Sequence, residues 1–179
     1  WSISGGCPPV ICIDYSPDGA IGAFSDGCGS IQLLGAHDGK IKKILTQEYS
    51  NNPLVNCRFH PSEEELLLAA SKDGYLFSFN IVTGIVTNFT RHLGSNPLDF
   101  TVDSYGETCA VYCSDGSIRI YDTEGFQKSS TLVKTISRGT VTQTTTIGTA
   151  VFHPVDQNII ASSIKSDRVF IWDLRTGHC

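Results

Sequence analysis

Short apolar and β-branched runs alternate with Gly, Pro, Asp and Ser along the whole chain. Val10-Ile11-Cys12-Ile13-Asp14-Tyr15, Leu66-Leu67-Leu68-Ala69-Ala70-Ser71 and Ile159-Ile160-Ala161-Ser162-Ser163 are each bounded by turn formers. Ile81-Val82-Thr83-Gly84-Ile85-Val86-Thr87 crosses a Gly turn from one such run into another. No segment of ten or more residues carries a helical period with caps at its ends. Punctuation by Gly and Pro every ~8–12 residues predicts an all-β chain of short strands.

The punctuation itself repeats. An aromatic or apolar residue precedes a short turn at Tyr15-Ser16-Pro17-Asp18-Gly19, Phe59-His60-Pro61, Val102-Asp103-Ser104-Tyr105-Gly106 and Phe152-His153-Pro154, with starts 44, 43 and 50 residues apart. A second marker follows each one: Gly29-Ser30-Ile31, Asp73-Gly74-Tyr75-Leu76, Asp115-Gly116-Ser117-Ile118 and Asp167-Arg168-Val169. Its aliphatic residue recurs at Ile31, Leu76, Ile118 and Val169, spaced 45, 42 and 51. Both markers lengthen together in the last interval, which places an insertion of roughly eight residues between Asp122 and Ile147 against a period of ~40–45. Four repeats follow, with approximate limits 8–46, 52–90, 97–137 and 146–179. One unit of four short strands cannot bury both faces of its own sheet. Radial stacking of units covers those faces and leaves short, protected edges, so the repeat predicts a propeller rather than a sandwich.

Ile171-Trp172-Asp173-Leu174-Arg175-Thr176-Gly177, with Phe152-His153-Pro154 some twenty residues earlier, resembles the WD-repeat family. Lys72-Asp73-Gly74…Phe79-Asn80 and Ser114-Asp115-Gly116…Tyr121-Asp122 resemble it too. The resemblance implies a β-propeller: four consecutive four-stranded blades over residues 1–179, part of a seven-bladed ring, with partners bound on the top face and rim. The chain departs from the family pattern in several places. Only Trp172 is a Trp, and Phe79, Tyr121 and Leu34 stand in the matching places. No convincing Gly-His pair opens a repeat, and the first unit has Cys28 where the turn Asp is expected and Gly35 where the closing Asp is expected. Asp73, Asp115 and Asp167 are carried over as structural turn carboxylates, since a carboxylate in a tight turn accepts local backbone N–H bonds.

Charge and composition narrow the function. Hydrophobic content of 40% and charged content of 17% are those of a globular chain. The net charge is −5 and the densest basic group is only Lys40, Lys42 and Lys43, which argues against a phosphate-backbone binder. No apolar run approaches the ~18 residues of a membrane span. Seven cysteines without a Cys-x-x-Cys pair make a poor disulfide or metal framework and read as small buried thiols in a reducing compartment. Cys109 and Cys113 share a strand face. His60 and His153 both precede Pro at one repeat position and read as turn residues. The serines Ser162, Ser163 and Ser166 lack a nucleophile-elbow context, and Gly27-Cys28-Gly29 lacks the rest of a phosphate-binding loop. Glu63-Glu64-Glu65 reads as a solvated turn.

Candidate binding residues lie on the long polar loops 46–53, 90–97 and 137–146, which the family geometry opens on the top face. They are Arg91, His92, Asn96, Arg138 and Thr144. Arg175 joins them because Trp172-Asp173-Leu174-Arg175 matches the signature of WD substrate receptors that dock on the adaptor of cullin-type ubiquitin ligases. The expected function is a non-enzymatic scaffold for other proteins, cytoplasmic or nuclear, with no cofactor, metal, small-molecule substrate or membrane partner. The alternatives are the ubiquitin-ligase receptor, a propeller enzyme, and a subunit touching nucleic acid in an RNA-processing or chromatin complex. The chain starts at Trp1 and has no Met, so the remaining blades are expected from the same longer chain. Four units of seven leave apolar end faces bare. Residues 1–179 alone are therefore expected to associate and to bind hydrophobic dye; a compact, dye-silent monomer in sedimentation would show a complete small propeller instead.

Overall fold

The computed structural model describes residues 9–48, 50, 52–88, 95–122, 131–136, 147–164 and 169–176. Among them every regular element is a strand. The first sheet is β1 (Val10–Tyr15), β2 (Ile21–Asp26), β3 (Ile31–Gly35) and β4 (Ile41–Leu45). The second is β5 (Leu54–Phe59), β6 (Leu66–Ser71), β7 (Leu76–Asn80) and β8 (Val86–Asn88). The third is β9 (Pro97–Val102), β10 (Thr108–Cys113), β11 (Ile118–Asp122) and β12 (Thr131–Ile136). The fourth is β13 (Ile147–Phe152), β14 (Ile159–Ile164) and β15 (Val169–Asp173), three strands among the described residues. Each sheet is an antiparallel meander in chain order. The insertion expected after Asp122 falls largely on 123–130 and 137–146, outside the described residues.

The turns joining second to third strands share one geometry. Asp26 N–H donates to Ser30 O, Ser71 N–H to Tyr75 O and Cys113 N–H to Ser117 O, at 2.9–3.1 Å. Gly29, Gly74 and Gly116 sit at the same place in these turns with φ of 83°, 94° and 79°, a left-handed conformation that L side chains resist. Here the Asp-Gly punctuation becomes backbone geometry.

Packing between sheets explains the continuous apolar runs. All six residues of β6 are buried, and alternate ones serve different neighbours. Leu67 and Ala69 cluster with Ala23, Ile31 and Leu33 of the first sheet. Leu66, Leu68 and Ala70 cluster with Phe100, Cys109, Val111 and Cys113 of the third. Ala110 and Tyr112, the intervening residues of β10, cluster with Ala150, Phe152, Ile160, Phe170 and Trp172 of the fourth. Cys109 and Cys113 therefore do share a face, the one toward the second sheet. First strands carry the joints: β5 packs on β1, β9 on β5 and β13 on β9.

Each first strand also contains a bulge at its second residue. The register slips between Val10 and Cys12, Leu54 and Asn56, Pro97 and Asp99, and Ile147 and Thr149. Odd spacings normally put side chains on opposite faces. The slip lets Leu54 and Cys57, three apart, join the same cluster.

The outer faces of the first and fourth sheets have no such cover among the described residues. Ile13, Phe24, Gln32 and Ile44 form one cross-strand row on the first sheet, with Ile13 60% and Ile44 54% exposed. Val151, Ala161 and Ile171 form a row on the fourth, with Val151 59% and Ile171 56% exposed.

Two glycines separate backbone strain from packing. Gly19 (φ 72°) and Gly106 (φ 81°) both occupy left-handed backbone in first-to-second-strand turns, but an added Cβ at Gly19 meets nothing within 4 Å. At Gly106 it overlaps the ring of His60, a residue of the second sheet that is 3% exposed. Gly19→Ala is expected to cost about 1–2 kcal/mol of unfolding free energy. Gly106→Ala should cost at least ~1 kcal/mol more from overpacking, as read by urea melts of the two variants. Equal midpoints would show that His60 yields freely.

Candidate functional site at the loop end of the sheets

The carboxylates at the second-to-third-strand turns are occupied by their own turns. Asp115 Oδ1 accepts the N–H (2.9 Å) and hydroxyl (2.6 Å) of Ser117, and Arg119 bonds its Oδ2 at 3.0 Å. Asp73 accepts the Ser71 hydroxyl at 2.6 Å and the Ser50 hydroxyl at 2.7 and 2.8 Å. The first sheet has no carboxylate at that turn position, and Asp26 takes over from the first residue of the turn. It accepts from Cys28 N–H (2.9 Å), Ser30 N–H (3.2 Å) and the Ser30 hydroxyl (2.7 Å). Burial works against ionisation of all three, yet these hydrogen bonds outweigh it and hold each carboxyl below its usual range. Asp167 lies outside the described residues.

In two intervals these turns meet the described parts of the connections between sheets at one end of the strands. Besides the Ser50–Asp73 bond, Lys72 N–H donates to Pro53 O at 2.9 Å. Gln47 braces the same loop through Ser50, whose N–H it accepts at 2.7 Å. A side chain at Gly29 would press on Asn52 O, which shows how closely the first sheet's turn approaches that loop. In the next interval Ser114 N–H donates to Asn96 O at 2.8 Å, and the hydroxyls of Ser95 and Ser114 lie 3.2 Å apart. Glu48, Asn52, Lys72, Asn96 and Ser114 are exposed on this frame. Asn96 is thus on the loop face, whereas Arg91, His92, Arg138 and Thr144 lie outside the described residues.

A second polar feature runs across the first strands. The Asn56 amide bonds Asp99 Oδ1, and the Thr149 hydroxyl donates to Asp99 Oδ2 at 2.9 Å, so three residues tie the second, third and fourth sheets. Asp14 makes the corresponding bond from the first sheet, accepting Phe59 N–H at 2.8 Å. Cys12, Asn56, Asp99 and Thr149 are all third residues of their strands, at the repeat spacings of 44, 43 and 50. That offset was the available signal, but four different residue types at it hid the equivalence. Behind Asp99, burial and the neighbouring carboxylate push the Tyr112 phenol well above its usual pKa.

The opposite end of the strands is organised by histidines. His60 Nδ1 accepts Ser62 and Glu63 N–H, and its Nε2 lies 3.2 Å from Gly106 O of the next sheet. His153 Nδ1 accepts Val155 and Asp156 N–H in the equivalent turn. An open groove of ≈ 610 Å³ on this end is lined by Glu63, Glu64, Glu65, Asn80, Thr83 and Ile85. Arg175 is also here, away from Asn96. Its guanidinium grips Asp173 through Nε at 3.1 Å and a terminal nitrogen at 3.0 Å, so its fork is already engaged by the preceding carboxylate. Trp172 of the same motif donates its indole N–H to Ser162 at 2.8 Å. Among the described residues no three His, Cys, Asp or Glu side chains converge as a metal would require.

Asp73→Ala and Asp115→Ala are expected to lower the unfolding free energy by about 1–3 kcal/mol, with Asp115, 44% exposed, at the low end. Because the folded carboxyls titrate below their unfolded values, the wild-type advantage should hold above about pH 4 and vanish as pH falls through the depressed folded values. Urea melts at pH 7, 4 and 2.5 check both the size and the sign. No protein-family model matches the chain, and no curated protein matches it in sequence.

Proposed function

We propose that this chain is an arc of a WD-repeat β-propeller and works as a non-enzymatic scaffold that holds partner proteins on its loop face and rim. The observation that carries this reading is the joining of successive antiparallel meanders of three or four described strands face to face through their first strands, in chain order. In such a stack the strands are committed to one another and only the loop ends and the last strands stay free for partners. The markers that resemble WD repeats coincide with the turns and strands that build the stack. The distribution of charge supports binding over chemistry. Asp26, Asp115, Asp156 and Asp173 are each spent on hydrogen bonds within their own turns, and Asp73 on its turn and on Ser50 of the adjoining connection. What the loop face offers is exposed amide, hydroxyl and charged groups on a fixed frame, which suits recognition of a protein surface.

Charge changes on the two ends test the reading. Lys72→Glu combined with Asn96→Arg alters the loop face, and Arg91→Ala with His92→Ala alters the adjoining candidate loop. Glu64→Lys changes the opposite end. Chemical cross-linking in cells, read by mass spectrometry, should show a protein partner lost by the first two pairs and kept by Glu64→Lys, with thermal melts unchanged. Retention of every partner by both of these paired variants would refute the assignment of that face.

A further inference from the structure

The joint between the first two sheets contains a feature that scaffolding does not use. Cys12 of β1 and Cys57 of β5 face each other, and their sulfurs are 2.9 Å apart. That is inside ordinary van der Waals contact and about 0.9 Å from the ~2.05 Å of a disulfide bond. Cys57 is fully buried, whereas Cys12 is only partly buried. The Ser25 hydroxyl lies 2.9 Å from Cys12 Sγ on the other side. The remaining described thiols have no such neighbour: Cys109 and Cys113 are buried, and Cys28 is exposed in a turn.

The geometry points to Cys12 and Cys57 as a peroxide-sensitive dithiol site that closes into a disulfide clasp between the first and second sheets. The two thiols have divided roles. With both protonated, the Cys12 S–H is directed at Cys57 Sγ. Once Cys12 ionises, the Cys57 S–H turns to donate to its thiolate, and that bond, with those from Ser25, outweighs burial and brings Cys12 down to about 7. The same hydrogen bond, together with burial, keeps Cys57 protonated. Cys12 is thus the attacking sulfur and Cys57 the resolving one.

The chemistry balances with hydrogen peroxide as oxidant. The Cys12 thiolate attacks one peroxide oxygen, an S–O bond forms, the O–O bond breaks, and the departing hydroxide takes up a proton as water. The Cys57 sulfur then attacks Cys12 Sγ of the sulfenic acid. The S–S bond forms, the S–O bond breaks, and hydroxide leaves with the Cys57 proton as a second water. Two thiols lose two electrons, and one peroxide becomes two waters. The resulting bridge spans 45 residues of chain and ties β1 to β5 covalently.

The test is peroxide treatment of the full chain in its native state, followed by thiol counting and peptide mapping. The thiol count should fall from seven to five, with a Cys12–Cys57 cross-linked peptide that dithiothreitol reverses. The urea midpoint of the oxidised protein should rise, because the cross-link restricts the unfolded chain. Cys12→Ser should abolish the loss of two thiols. Cys57→Ser should leave a Cys12 sulfenic acid that dimedone traps, and Cys28→Ser should change nothing. Should Cys57→Ser fail to fold, Cys12→Ser, at the partly buried position, still decides the matter. The proposal is overturned if Cys12 is carried to sulfinic acid while Cys57 stays reduced. It is equally overturned if Cys12 pairs with another cysteine, or if Cys12→Ser still loses two thiols.

Discussion

A four-stranded antiparallel meander has two faces, and burying both is the constraint on which this structure depends. The second and third sheets satisfy it by lying between neighbours. Leu67 and Ala69 look one way and Leu66, Leu68 and Ala70 the other, so a strand with no polar alternation is still read residue by residue. Each joint buries several large side chains, each worth about 1.5–3 kcal/mol when removed from water. No single sheet could hold its shape without that cover. Turn chemistry and polar pairing are arranged around this requirement.

The polar contacts set the register of the joints more than their strength. Hydrophobic contact is non-directional and would let one sheet slide on the next. Asp14 on Phe59 N–H, and Asp99 between Asn56 and Thr149, are directional and lie where first strands meet. His60 reaching Gly106 O does the same work at the far end of the strands. At the loop end Ser50 on Asp73 and Asn96 with Ser114 pin the intersheet connections. The described part of the proposed recognition face is therefore held at Ser50 and Pro53 in one connection and at Asn96 in the next, which limits the ordering cost of binding there.

Much of this was legible in the residues. Strand positions followed from apolar runs between Gly, Pro and Asp, and β5, for instance, occupies the run Leu54–Phe59 that precedes His60-Pro61. Asp73 and Asp115 were legible because each immediately precedes a Gly with positive φ. Asp26 was not, since it bonds its turn from two residues earlier and does not immediately precede Gly29, the Gly with positive φ there. The joints were hidden for a different reason. Asn56, Asp99 and Thr149 share an offset but no chemistry, and the Cys12–Cys57 pair is displaced by one residue from the repeat spacing. Each first strand also carries a bulge next to these positions, and bulges leave little trace in composition. Of the candidate binding residues, Asn96 comes from a loop between sheets and Arg175 from the Trp172-Asp173-Leu174-Arg175 motif, and the strand directions put them at opposite ends.

Among the described residues these side-chain bridges between sheets each span one repeat: 45 residues from Cys12 to Cys57, 43 from Asn56 to Asp99, and 50 from Asp99 to Thr149. A chain with that property can be assembled in the order in which it is synthesised. At about 5–20 residues per second, each new sheet waits roughly 2–10 s for the next one to emerge and cover it. During that interval one bare apolar face is always present, and it advances along the nascent chain as each sheet is capped. Apart from the outer face of the first sheet, the hazard of misassociation is thus confined to the newest sheet, because each later joint is sealed as its second sheet arrives.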